Sequence, residues 1–314
     1  MSAWQDMMIG FARNQSLTNF MQGNALTKRL ASRFVGGESI APTIAKAIHL
    51  KEKGFCVSAY YLGEYVDDGR LIEENVIQII TLAQELGCAG LDVHISVDPT
   101  QIGYTLSDDM GKQNALRVGQ VISQQVSQGR NVLMLDMEDF SYTQKTLDLH
   151  TQLSQAGIPT AITIQAYLHR SEADIRQLIQ RGASVRLVKG AFAEKKERAW
   201  VSKTDINQNY IRLAKLLLSP EAQKQGVYPI FATHDEQMIE AIQPTLREYQ
   251  WAANSFEFEM LYGVRTPLQQ HLIEERYRVR LYLPFGTEWW PYTARRIGEN
   301  PANTLFIWQA LWNN

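Results

Sequence analysis

Eight short apolar runs, separated by longer amphipathic stretches, govern what this 314-residue chain can fold into. They cover 55–62 (FCVSAYYL), 89–97 (AGLDVHISV), 131–137 (NVLMLDM), 159–167 (PTAITIQAY), 184–190 (SVRLVKG), 228–234 (YPIFATH), 256–261 (FEFEML) and 277–283 (YRVRLYL). Runs of this length read as strands. The stretches between most of them, such as EENVIQIITLAQELG and EADIRQLIQRG, read as helices. Strand–helix alternation implies a parallel sheet of the α/β class, and eight units close into a (β/α)8 barrel. An open doubly wound sheet is the rival, but its G-x-G-x-x-G signature after the first strand is absent.

Ahead of the first strand the chain reads helical. In NALTKRLASRFVGG apolar residues recur at three and four, and paired glycines end the run. No Pro-rich linker or low-complexity segment divides the remainder. The expected organisation is an N-terminal helical extension over 1–53 and a single barrel domain over 54–314. With 45% hydrophobic and 20% charged residues, the chain can bury a large core. A net charge of −2 excludes a broad basic field for nucleic acid. Cys56 and Cys88 both sit in or near apolar segments and read as buried thiols. No apolar run is long enough to span a bilayer, and MSAWQDMMIG lacks the cationic start of a secretory signal. A cytoplasmic protein is expected.

Barrels of this kind hold their chemistry at the C-terminal ends of the strands. Those ends carry Glu64 and Asp98 after strands one and two, Asp136 and Glu138 after strand three, and Gln165 at strand four. Arg186 and Lys189 follow at strand five, Thr233 and His234 at strand six, Glu257 and Glu259 on strand seven, and Tyr282 at strand eight. One polar residue at a strand end is ordinarily a helix cap or a turn. So many in otherwise apolar runs point to a shared polar site, because each costs several kcal/mol if buried without a partner. Arg186, Lys189 and His234 together suit a phosphate or pyrophosphate. The bland reading of Lys189-Gly190 is a strand-end turn with a solvated lysine.

After strand eight, Pro284 and Gly286 break the run and Thr287 can cap a helix. Tyr292, Arg295, Arg296 and Glu299 then share one helical face. A helix in that position can fold over the barrel mouth. Its two guanidiniums suit a small carboxylate, with Tyr282 and Tyr292 walling the apolar part of the ligand. The alternative is a surface helix with a weak Arg–Glu pair.

Four stretches, ITIQAYLHR (162–170), VRLVKGAF (185–192), FATHD (231–235) and YLPFGTEWWPYTARRIGENPANTLF (282–306), together resemble the proline dehydrogenase family, with LGE (62–64) and LDMED (135–139) extending the likeness. The resemblance implies a distorted (β/α)8 barrel that holds FAD and oxidises L-proline, or a close cyclic amino acid, to Δ1-pyrroline-5-carboxylate by hydride transfer. It implies a quinone as electron acceptor, with a transient contact at the inner face of the membrane, and no metal. It assigns Gln165, Arg186, Lys189, Gly190, Thr233, His234 and Glu299 to the cofactor. Substrate contacts fall to Arg295, Arg296, Asp98 and Leu187, and the catalytic surround to Asp136, Tyr282 and Tyr292.

The chain departs from the family pattern at two places. The family's strand-two lysine, in a phrase like S-I-K-x-S-A-L-G, corresponds here to SVDPTQIG and hence to Asp98, or to His94 if VHIS sets the alignment. The tyrosine after R-L-V-K-G-A is Phe192. Two other functions stay open: a flavin barrel reductase of the methylenetetrahydrofolate reductase type, and a non-catalytic flavin- or amino-acid-binding homologue.

Overall fold

The computed structural model describes residue 21 and residues 24–63, 65–126 and 129–299; for residues 25–26, 295 and 297–299 the description is of the backbone alone. Eight parallel strands close into a barrel in sequence order. They are β1 (Cys56–Tyr61), β2 (His94–Val97), β3 (Val132–Leu135), β4 (Thr160–Gln165), β5 (Ser184–Val188), β6 (Tyr228–Ala232), β7 (Glu257–Leu261) and β8 (Val279–Phe285). β8 pairs with β1 over six residues, from Cys56 opposite Arg280 to Tyr61 opposite Phe285. Each expected strand is present. The second is shorter than its apolar run, because Leu91 and Val93 are buried in the approach to the strand rather than in it.

Ahead of the barrel the described residues include the helices α1 (Ala25–Ala31) and α2 (Ile40–Glu52). Within it come α3 (Gly69–Cys88), α4 (Asp108–Gln124), α5 (Phe140–Gln155), α6 (Ser171–Gln180), α7 (Lys203–Leu217), the short α8 (Pro220–Lys224), α9 (Glu236–Glu248) and α10 (Thr266–Glu274), and α11 (Trp289–Glu299) ends the described chain. Side-chain caps start several of them. Asp68 accepts from the N–H groups of Arg70 and Leu71, Asp139 from that of Ser141 and Asp235 from that of Gln237. Each cap satisfies donors that a helix start leaves without an internal partner. The main core lies between strands and helices.

The barrel is distorted at its seam. The helix after β8 does not return to the outer wall. Instead α11 packs with α1 and with residues at the C-terminal end of β1, in a cluster of Phe34, Val35, Tyr60, Leu62, Trp289 and Trp290. Backbone bonds fix that end, Gly36 N–H to the Pro284 carbonyl at 2.8 Å and Gly286 N–H to that of Gly37 at 3.0 Å. The outer position beside β1 is taken by α2, which packs on β1 and α3. The turn after α2 lies against Ile273 of α10. Strand eight also runs on through Pro284 to Phe285. The pairing with β7 ends at Leu261 opposite Tyr282, so no ladder bond is lost at the proline nitrogen. The turn comes at Gly286, whose φ of +127° suits glycine.

Cys88 is exposed at the end of α3, against expectation, because the helix turns that position outward; Cys56 is half-buried and burial pushes its thiol up.

The N-terminal ends of the strands are closed by buried charge. Arg280 is 0% exposed and donates to Glu257 at 2.6 Å, Asp92 at 2.8 Å and the Val57 carbonyl at 2.7 Å. Arg278 bonds the same two carboxylates, and Tyr228 donates its hydroxyl to Glu257. Glu257 therefore belongs to the closed floor and not to the mouth. Removing one member strands a buried charge. Arg280→Met is expected to lower stability by ~3–5 kcal/mol, read from urea unfolding; a loss under about 1 kcal/mol would show that the floor is not a paired unit.

Candidate functional site

Alternate strand residues face the barrel interior. On β2, β4, β5, β7 and β8 these include Ser96, Thr163, Arg186, Glu259 and Tyr282, whose side chains bond one another or Asp136 across the interior. Arg186 is the centre of the set. It is 4% exposed. Its Nε donates to Thr163 at 2.9 Å, and its Nη1 to Ser96 at 3.3 Å and Glu259 at 2.8 Å. Its Nη2 pairs with Asp136, which directly follows β3. A guanidinium has five N–H groups. Four are accounted for, and the fifth is on Nη2, beside Asp136.

Asp136 also accepts the Tyr282 hydroxyl at 2.8 Å, and the Arg186 guanidinium lies 5.5 Å from the Tyr282 ring centroid. Glu259 is 2% exposed, and burial raises its carboxyl above the usual range despite Arg186. Below them His94 bonds Ser58 through Nδ1 at 2.9 Å. Burial first, then the surrounding arginines, hold its imidazole neutral. His94 opens β2, deep in the barrel, whereas Asp98 follows its C-terminal end. The strand-two departure therefore falls at Asp98 where the mouth is concerned. Asp98 accepts the hydroxyl of Tyr60, and the Tyr60 ring stacks on Tyr282 at 5.4 Å.

Gln165 ends β4 and is 3% exposed. Its amide nitrogen donates to the carbonyls of Met137 and Glu138, both at 3.1 Å, and its Oε1 is buried with no partner in the protein. Lys189 donates to Asn207 and Asp235, both at 2.6 Å. Gly190 has φ +105°, and a Cβ there would stand 2.2 Å from the Tyr167 ring. Thr233 accepts from the Asp235 N–H. His234 Nε2 accepts from Leu261 N–H at 2.8 Å, which puts the ring proton on Nδ1; burial, then Arg296 and Arg265, lower its pKa to about 4.

On α11, Tyr292 is 6% exposed and the Arg296 guanidinium lies 5.2 Å from its ring centroid. The side chains of Arg295 and Glu299 lie outside the described residues, as does Glu64. Leu187 is a correction. Arg186 faces the interior, so its neighbour faces the helices, and Leu187 is a core side chain in that outer layer, 0% exposed. It cannot line the mouth. Residues missed in the sequence are Tyr60, Ser96 and Thr163. Their signal was there, polar groups two apart within apolar strands. Glu138 serves structure instead, accepting from the backbone and hydroxyl of Thr100 at 2.9 and 2.5 Å.

The proline dehydrogenase family model matches residues 43–309. The chain belongs to that family. It is 34% identical to proline dehydrogenase 1 of Bacillus subtilis strain 168 over 94% of this chain and 95% of that protein. It is 35% identical to the proline dehydrogenase of Deinococcus radiodurans over 90% of each. Among solved structures, proline utilization A from Bdellovibrio bacteriovorus inactivated by N-propargylglycine superposes with a TM-score of 0.79 at 21% identity. That match covers 94% of this chain and 38% of the other, and speaks for the barrel alone.

An FAD of the kind the family implies can be tested against these groups. An isoalloxazine edge carries both N–H and C=O groups. Among the described residues, Gln165 Oε1 is a buried acceptor with no partner in the protein, and Arg186 Nη2 carries an N–H beyond those bonded to Thr163, Ser96, Glu259 and Asp136. The donor and acceptor types fit.

Glu259 supplies a pH test. Its carboxyl ionises near ~4.3 in the unfolded chain and higher in the fold. Between those values the folded state holds more protons, so stability falls as pH rises through that window. Glu259→Gln removes this titration. Its stability relative to the wild type, read in urea midpoints, is expected to climb as pH rises above about 4.3; a constant difference would mean that Glu259 does not titrate differently in the fold.

Proposed function

We propose that the chain oxidises L-proline, or a close cyclic amino acid, to Δ1-pyrroline-5-carboxylate with bound FAD, and passes the electrons to a quinone. The observation that carries this reading is the buried Arg186, held by Thr163, Ser96, Glu259 and Asp136 at the strand ends, together with the buried Gln165 Oε1 that has no partner in the protein. Family membership over 43–309 supports the substrate.

In this reading Gln165, Arg186, Lys189, Gly190, Thr233, His234 and Glu299 hold FAD. Lys189, restrained by Asp235 and Asn207, meets its phosphates. His234 serves as a neutral Nδ1–H donor, since its Nε2 is already bonded to the backbone. The bound flavin supplies the hydride acceptor. Arg295 and Arg296 hold the substrate carboxylate from α11, and Tyr282 and Tyr292 wall the ring. Asp136 holds both Arg186 and the Tyr282 hydroxyl and so fixes the floor of the substrate site. With the substrate amine's proton lost to solvent, the nitrogen lone pair would close the C=N bond as the adjacent ring carbon gives up hydride to that acceptor. Orientation by the arginines supplies the near-attack geometry. Among the described residues no helix is long and apolar enough to cross a membrane. Encounter with a membrane quinone from the cytoplasm is then peripheral.

Purified protein is expected to be yellow and to bleach anaerobically with L-proline. Bleaching by NADH alone would support a reductase instead, and flavin without bleaching by any cyclic amino acid a binding homologue. Arg296→Met is expected to raise KM by ~10–100-fold with flavin content retained. Equal loss of flavin would place that arginine on the cofactor.

A further inference from the structure

We propose that Glu259 takes up a proton when the site is reduced and, acting through Arg186, sets the reduction potential of the flavin held there. The inference rests on the function proposed above and adds a positioning residue to that site.

The balance of charge inside the barrel leads to it. On the floor two guanidiniums, Arg278 and Arg280, face two carboxylates, Asp92 and Glu257. Above them Arg186 alone pairs with two, Asp136 and Glu259. These two carboxyls are held differently. Asp136 meets Arg186 Nη2 and the Tyr282 hydroxyl. Among the described residues Glu259 accepts only from Arg186 Nη1, through Oε1 at 2.8 Å, and its Oε2 is buried with no partner in the protein. Each donor that a buried carboxylate receives stabilises its charge, so the carboxyl with fewer donors is the one that takes a proton. The charged groups facing Glu259 are Arg186 of β5 and Arg280 of β8, which favour ionisation, and Glu257 on its own strand, which opposes it; burial outweighs both arginines. His94 of β2, in the same interior, is held neutral.

Hydride is a proton with two electrons, so its transfer adds one negative charge to the group that Arg186 holds. With Glu259 ionised, Arg186 and its two carboxylates carry one net negative charge, which opposes the new one. With Glu259 protonated the three are neutral, and Arg186 is less compensated. The electrons and the first proton come from the substrate as hydride. The second proton comes from water and forms an O–H bond on Glu259. Both side chains are buried, so solvent screens little of the interaction between them and the reduced ring. An ionised Glu259 therefore draws the potential down, and a protonated one lets it rise.

The test is the flavin midpoint potential of the holoenzyme, set at an electrode with mediators across the pH range in which the protein stays folded. The wild-type line is expected to fall more steeply than that of Glu259→Gln, by about 30 mV per pH unit where reduction changes the charge of Glu259, the two-electron equivalent of one further proton. Above that interval the variant, whose amide stays neutral, keeps the higher potential. Lines of equal slope overturn the inference, as does a variant with the lower potential. A second measurement starts from the wild type alone. Its electrochemical reduction is expected to add the infrared C=O stretch of a protonated carboxylic acid, which Glu259→Gln lacks. If that variant does not fold, Glu259→Asp, an acid with a shorter reach, displaces the band. A wild type without the band overturns the inference. Failure of the functional reading is separate: it shows as flavin that no cyclic amino acid bleaches, while the electrode still decides the role of Glu259. Protein that neither carries nor takes up flavin overturns both.

Discussion

The site depends on one buried guanidinium. Taking an arginine out of water costs several kcal/mol unless its N–H groups are met. Arg186 is met by groups from four other strands or strand ends: Ser96, Asp136, Thr163 and Glu259. That arrangement explains why small hydroxylated residues stand where a barrel interior would otherwise hold branched aliphatics. It also explains the direction of the group. With Nε and Nη1 occupied by Thr163, Ser96 and Glu259, Nη2 is left for Asp136, which ties it to Tyr282.

Two charged layers divide the barrel between them. The lower one, around Arg280, Glu257 and Asp92, is sealed and joins β7, β8 and the approach to β2. Its polar atoms are spent on one another. The upper one keeps a donor on Arg186 and an acceptor on Gln165. Neutral His94 lies between them, bonded to Ser58, which in turn bonds Ser96. Both layers are ionic. The lower one holds the strands together, and the upper one leaves groups for a ligand.

Much of this was legible in the sequence, and the failures share a cause. Periodicity reveals which residues share a face. It does not reveal how far along the strand they sit. His94 and Asp98 share the inward face of β2, as Glu257 and Glu259 share that of β7, so alternation could not tell floor from mouth. Only the register does, by pairing His94 with Val132 at the start of β3. Leu187 failed the other way. Next to Arg186 in sequence, it is on the opposite side of the sheet. Helix patterning likewise shows that α2 buries Ala47 and Leu50, but not that it takes the outer place of an eighth barrel helix.

That exchange of helices has a consequence for how the chain reaches its fold. The strand beside α2 pairs with the last strand, and Arg280 bonds the Val57 carbonyl across 223 residues of sequence. A ribosome releases β1 long before β8 exists, and contacts of such long range are slow to form. Until the final strand arrives, β1 presents a bare ladder edge, the kind of surface that recruits foreign chains. With α2 already beside it, an apolar flank is covered early, and the nascent sheet waits for closure with one side shielded.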